Sequence, residues 1–112
     1  ANCITETHAD ITATGILGPI VGHVGDGNFH VVVVVSPEDE EEMSRVESFN
    51  ERLIARALSM GGTCTGEHGI GVGKIPHLLH ELGPDAVSLM RAIKSAIDPM
   101  GIMNPGKVTA EQ

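Results

Sequence analysis

Four ionisable side chains in two glycine-rich runs are the residues of this sequence best suited to chemistry. The run 22-GHVGDGNFH-30 places His23 and His30 on either side of Asp26-Gly27, and 66-GEHGIGVGK-74 sets Glu67 beside His68. Neutral imidazole is the commonest protein ligand for zinc and similar metals. In an unbroken strand, residues seven apart point to opposite faces, because the side-chain period is two. A turn alters that arithmetic. If His23 ends one strand and His30 begins its antiparallel partner, the two imidazoles share a face. Two histidines and one carboxylate with a vacant position form the pattern of a catalytic Zn²⁺ or Mn²⁺ site. Glu67 is the candidate third ligand, which leaves His68 beside the metal as a general base.

Each of these residues also has a plainer reading. Asp26-Gly27 alone is a turn, and a single histidine near a strand end is more often a hydrogen-bonded structural residue than a ligand. The run 66-GEHGIGVG-73 reads equally as a surface loop. It lacks the GxxxxGK[ST] spacing, and Ile75 follows Lys74, so it does not match a phosphate-binding P-loop. His77 and His80 stand at i and i+3 of a helix, a spacing that allows metal ligation but suits solvent-facing residues better. Cys64 reads as a small buried residue, since nothing nearby marks an activated thiolate.

The elements that must position these residues follow from periodicity and punctuation. Ile4, His8 and Ile11 at i, i+4 and i+7 predict a helix over 2–13, ended by Gly15. The run 16-ILGPIVGHV-24 predicts a strand with Pro19 near its beginning. A second strand is predicted over 29-FHVVVVV-35, whose valines suit burial on both faces. Asp26-Gly27 between them predicts a two-residue hairpin turn. Ser36 as cap, Pro37 at the first helical position and Asp39 three residues on predict a helix start. The acidic run 38-EDEEE-42 then meets the positive end of the helix dipole. Met43, Val46, Phe49, Leu53, Ala57 and Met60 carry that helix to about residue 60, where Gly61-Gly62 stops it. A short third strand is predicted at 63-TCT-65, a loop over 66–74, a short helix around 76–82 and another over 84–97 that begins at Pro84. Val87, Met90, Ile93 and Ile97 form its apolar stripe, and Asp98-Pro99 ends it. The implied class is α+β: an antiparallel sheet with a β-hairpin packed against helices, plus C-terminal helices.

Composition bounds the function. The 112 residues fit one domain, with 41% hydrophobic and 20% charged residues. A net charge of −8 with few, scattered Lys and Arg excludes a general nucleic-acid binder. There is no apolar run of the roughly 18 residues needed for a membrane helix. Two cysteines, Cys3 and Cys64, are too few for a disulfide scaffold, so a reducing compartment is the default. The chain starts ANCITETHAD, without an initiator Met and already inside a helical pattern, which reads as a fragment or a processed form.

Three linked motifs carry a family resemblance: 22-GHVGDGNFH-30, 66-GEHGIGVGK-74 and the tail 98-DPMGIMNPGKV-108. In this order, and over nearly the whole chain, they resemble the C-terminal part of the FAD-linked D-2-hydroxyacid dehydrogenases of the vanillyl-alcohol-oxidase superfamily. The wording of 20-IVGHVGDGNFH-30 and 61-GGTCTGEHGIGVGK-74 is similar to the cytochrome-linked D-lactate branch, with the glycolate oxidase FAD subunit next. The resemblance implies a ferredoxin-like α+β half over residues 1–112, without the FAD-binding domain, and inactive by itself. It implies oxidation of a D-2-hydroxy acid, D-lactate first, to the 2-keto acid by hydride transfer to FAD. His23, His30 and Glu67 match divalent-metal ligands (Zn or Mn), His68 matches the base that takes the hydroxyl proton, and Asn104 matches a position close to the flavin ring. A metal holding the 2-hydroxyl and carboxylate orients the substrate and lowers the hydroxyl pKa, while the flavin supplies the redox chemistry.

The implied partners are a small 2-hydroxy acid and an electron acceptor such as cytochrome c, a quinone or an electron-transfer flavoprotein, with no nucleic acid; a homo-oligomer is compatible with the family. The implied compartment is the bacterial cytoplasm, including the periphery of the inner membrane, or the mitochondrion in a eukaryote. The alternatives are glycolate or D-2-hydroxyglutarate as substrate, or a non-catalytic metal- or small-molecule-binding α+β module. Hydrolytic metal chemistry with Glu67 as base is weaker, because the HExxH spacing is absent.

Overall fold

The computed structural model describes residues 1–109, and the chain divides into two compact units at Gly62/Thr63. In the first, helix α1 (Asn2–Thr14) ends as predicted at Gly15, whose φ of 67° is left-handed and whose N–H donates to the Ile11 carbonyl. Its inward stripe is shifted, however. Thr7 is wholly buried and Ile4 and Ile11 half-buried, while His8 is exposed. A buried threonine is accommodated because Arg56 Nη1 donates to its hydroxyl at 3.0 Å.

The hairpin is shorter, and its loop longer, than predicted. Strand β1 (Ile20–Val21) pairs antiparallel with β2 (His30–Val31), with Ile20 opposite Val31 and Val21 opposite His30. A further bridge joins Leu17 to Val34. Helix α1 packs on this ladder through a glycine: a Cβ at Gly18 would lie 2.9 Å from Val31 Cγ1 and 3.7 Å from Ile11 Cδ1. The valine run is not buried on both faces. Val32 and Val34 are exposed, whereas Val31, Val33 and Val35 are half-buried, the alternation of a strand covered on one side only.

Helix α2 (Glu40–Ser59) starts three residues later than Ser36 predicts. Asp39 is the cap, accepting from the Glu42 N–H at 2.9 Å. Ser36-Pro37 instead forms a turn, with Asp39 N–H to Ser36 O at 3.0 Å, and Glu42 reaches back to the Ser36 N–H at 2.7 Å. A carboxylate at the positive end of the helix dipole is the stronger acceptor, so Asp39 displaces the serine hydroxyl. At the other end, Gly61 N–H bonds Leu58 O and Gly62 N–H bonds Ala57 O, the Schellman pattern that Gly61-Gly62 predicts. Phe49 and Ile54 bury most deeply from this helix, and burial of one such side chain contributes about 1.5–3 kcal/mol. Asp10 of α1 takes both Arg52 (2.7 Å) and Arg56 (2.9 Å) of α2, which ties the two helices together.

In the second unit, 63-TCT-65 is not a strand. Its backbone is satisfied by a side chain: Glu81 Oε2 accepts from Cys64 N–H at 2.8 Å and from the Thr63 hydroxyl at 3.1 Å. Helix α3 (Ile75–Ile97) is broken at Gly83 (φ 78°, ψ 168°), so the two helical stretches predicted from Pro84 are present as one interrupted element. Leu78 and Val87 are buried and Met90 half-buried, while Ile93 and Ile97 of the predicted stripe are exposed. Three helices and a two-stranded antiparallel sheet among the described residues make the class α+β. None of these helices is long and apolar enough to cross a membrane.

Candidate functional site

His23 and His30 belong to one closed loop, but not to facing strand ends. His30 lies in β2 opposite Val21, and His23 lies two residues beyond β1 as the cap of a 3₁₀ turn, Val24–Asp26. The predicted two-residue turn is replaced because the polar backbone groups bond locally. His23 O accepts from Asp26 N–H at 2.9 Å and from Asn28 N–H at 3.3 Å, and Gly27, at φ 74°, returns its N–H to Val24 O. The neck of the loop needs glycine. Gly22 has φ 155°, and a Cβ there would stand 2.5 Å from Phe29 Cα and 2.6 Å from Asn28 O. His23 is exposed and His30 half-buried.

Glu67 and His68 occupy the central positions of a tight turn in the second unit. Gly69 N–H bonds Gly66 O at 3.2 Å, and the Thr65 hydroxyl fastens the same turn to Gly69 O at 2.6 Å. Their side chains meet: Glu67 Oε1 lies 3.6 Å from His68 Nε2, and both residues are exposed. A carboxylate beside an imidazole on a glycine-flanked turn can bind a cation or take part in proton transfer.

Asn104 sits in the tail at φ 48°, exposed, with its carbonyl accepting from Lys107 N–H at 3.3 Å. The tail is tied to the loop that carries Glu67 and His68, since Val108 N–H bonds Gly71 O at 2.7 Å. Val108 itself has φ 65°. A β-branched residue there stores on the order of 1–3 kcal/mol of strain, which the surrounding bonds must sustain. Of the other candidates, His80 is exposed and His77 half-buried. Cys64 is buried, and burial, followed by the adjacent Glu81 carboxylate, pushes its thiol up to about 11, so it is not a nucleophile at neutral pH.

Two carboxylates hold backbone in a way that their place in the sequence does not announce as a site. Glu81 binds the 63–64 backbone, and the Cys64 N–H is the main reason its carboxyl sits below the usual range. Asp98, buried, accepts from Lys94 Nζ, from Ile102 N–H at 3.1 Å and from Met103 N–H at 2.8 Å. Lys94 is the main cause of its lowered pKa. A signal for Asp98 did exist. Asp98-Pro99-Met100-Gly101 is an ideal turn sequence, with Asp first, Pro second and Gly last, and Gly101 N–H does close it onto Asp98 O at 3.0 Å. Nothing comparable marks Glu81, whose partners lie 17 and 18 residues away.

The model of the family described as FAD linked oxidases, C-terminal domain, matches residues 1–108. A Danio rerio protein named probable D-lactate dehydrogenase, mitochondrial, is 57% identical over 105 residues, covering 94% of this chain and 21% of its own length. The Saccharomyces cerevisiae protein named D-lactate dehydrogenase (cytochrome) 1, mitochondrial, is 52% identical over 106 residues, 94% of this chain and 18% of that protein. The glycolate oxidase subunit GlcD of Bacillus subtilis is 42% identical over 90 residues, 80% of this chain and 19% of that protein. The chain therefore spans about a fifth of the length of the curated relatives it matches.

Proposed function

Because the chain belongs to the FAD-linked oxidases by their C-terminal domain, we propose that it is the substrate and metal half of a flavoenzyme that oxidises a D-2-hydroxy acid. D-lactate is the first substrate and the 2-keto acid the product. The observation that carries this reading is the match over residues 1–108, which takes in all three motifs, together with relatives named for D-lactate at 57% and 52% identity. Glycolate is the second reading, favoured by the glycolate oxidase subunit at 42%.

The donor chemistry fits a divalent metal. Two imidazoles, His23 and His30, with the carboxylate of Glu67 are a ligand set suited to Zn²⁺ or Mn²⁺. Such a metal would hold the substrate's hydroxyl and carboxylate oxygens. Bound FAD would supply the acceptor for the two electrons that leave the substrate carbon. His68 takes the hydroxyl proton on its imidazole, and with Glu67 Oε1 3.6 Å from Nε2 that proton is held beside a carboxylate. Asn104, presented at a left-handed turn position, would be the residue of this chain that contacts bound FAD. The relatives' names favour a cytochrome as final acceptor and a mitochondrial location.

The test is anaerobic reduction of the full-length flavoprotein by D-lactate. The flavin bleaches in the wild type; His68→Ala and Glu67→Ala slow that step by about 10²-fold or more, the usual worth of a positioned base. A His68→Ala protein that bleaches at the wild-type rate removes the base assignment. Metal analysis adds a second readout: one equivalent of Zn or Mn, lost in the His23→Ala/His30→Ala variant.

A further inference from the structure

The geometry points to Asp98, assisted by Lys94, as a positioning residue that sets where Asn104 is presented. The inference rests on the reading of Asn104 as the flavin-side residue. Asp98 lies at the end of α3, and its buried carboxylate gathers three donors: Lys94 Nζ and the N–H groups of Ile102 and Met103. Lys94 Nζ also donates to the Met103 carbonyl, so both backbone groups of the residue just before Asn104 are held by side chains of one helical turn. The far end of the tail is held separately, by Val108 N–H on Gly71 O.

Between these two anchors the chain runs through Asn104 and Gly106, both at positive φ, with Gly101 and Val108 at positive φ on either side. Gly101 and Gly106 adopt positive and negative φ about equally readily, and the β-branched Val108 is strained at positive φ. The tail's own turns, Gly101 N–H on Asp98 O and Lys107 N–H on Asn104 O, shape it locally, and the anchors fix where that shape is presented. The second anchor lies on the 66–74 loop, so the same arrangement ties Asn104 to the turn that carries Glu67 and His68. Asp98 touches neither substrate nor flavin in this scheme; it acts through Asn104.

The experiment compares Asp98→Asn, Lys94→Met and wild type in the full-length flavoprotein. Asp98→Asn keeps the size and one acceptor oxygen but loses the charge; Lys94→Met leaves the Asp98 carboxylate with its two backbone donors and is the milder change should Asp98→Asn not fold. Three readouts are taken: the visible absorption spectrum of the oxidised flavin, kcat and KM for D-lactate separately, and amide hydrogen exchange at residues 102, 103 and 108. Asp98→Asn should shift the flavin bands, lower kcat at least about tenfold with KM within about twofold, and speed exchange at 102 and 103. Lys94→Met should act in the same direction, more weakly. A folded variant with wild-type flavin bands and wild-type kcat overturns the inference, as does unchanged exchange at 102 and 103. If D-lactate fails to bleach the wild-type flavin while Asp98→Asn still shifts its bands and the tail exchange, the substrate reading falls and the positioning role stands.

Discussion

The two units differ in what their most enclosed carboxylates hold, although Asp39 and Glu42 of the first also accept backbone N–H groups at the start of α2. In residues 1–62, Asp10 pairs with the guanidinium groups of Arg52 and Arg56, joining one regular helix to another. In residues 63–109, Glu81 and Asp98 spend their oxygens mainly on backbone N–H groups of segments that are neither helix nor strand. The difference has a simple cause. A helix satisfies its own backbone, so charged side chains on its surface are left to find one another. An irregular segment has no ladder for its N–H groups, and when it is packed against the rest it must borrow acceptors from side chains. In the first unit ion pairs join two helices over an apolar core, while in the second the half-buried Glu81 and the buried Asp98 hold the irregular segments on either side of α3.

The comparison can be broken most forcefully at the core of the first unit. Phe49 is 1% exposed, and Phe49→Ala should cost about 3–5 kcal/mol in chemical denaturation, with faster amide exchange in α1 and α2. If Glu81→Ala were as harmless as a surface change, the contrast between units would fail. It should cost about 1–3 kcal/mol, because the buried Cys64 N–H and the Thr63 hydroxyl lose their acceptor, and exchange at residue 64 should rise.

Asp10→Asn should cost less, about 1 kcal/mol, since Arg52 is half in solvent and the pair is screened there; added salt should shrink the difference. Acid does the same without mutation. Arg52 holds the Asp10 carboxyl below its ordinary 3.8, and the Cys64 N–H holds Glu81 below 4.5. Lowered folded values mean stability that is present above those pH values and lost as pH falls below them. A denaturation series from pH 6 to pH 2.5 should show stability falling only below about 4.5. A further effect is alkaline. Cys64 rises from 9.0 to about 11 on folding, so stability should decline as pH climbs through that interval, and Cys64 should resist alkylation at pH 8 until the chain unfolds.

How much of this could be read in advance differs by element. The ends of α1 and α2, the break before Pro84 and the stop at Asp98 were legible, because each is set by residues within one turn of the event: Gly15, Gly61-Gly62, Gly83 and Pro99. The start of α2 lies three residues beyond the expected one, since Ser36, Pro37 and Asp39 compose two local patterns and the stronger carboxylate acceptor decides between them. The third strand at 63–65 and the two-residue hairpin turn were misread for another reason. Both depend on where backbone bonds go, and Glu81 and the His23 carbonyl claimed them. Of the candidate site, the pairing of Glu67 with His68 was plain from adjacency. The placing of His23 in a 3₁₀ turn beyond the strand was not.

By itself the sequence determined the helices, the α+β class, the three motifs and through them the family, since all of these are local or additive along the chain. Only the tertiary structure decided that Glu81 holds the 63–64 backbone and that the far end of the tail is held at Gly71. Those are matters of which acceptor reaches an N–H across a separation of up to 37 residues, as between Gly71 and Val108. No pattern of neighbouring residues encodes that choice; folding makes it by excluding water from donors that must then find a partner.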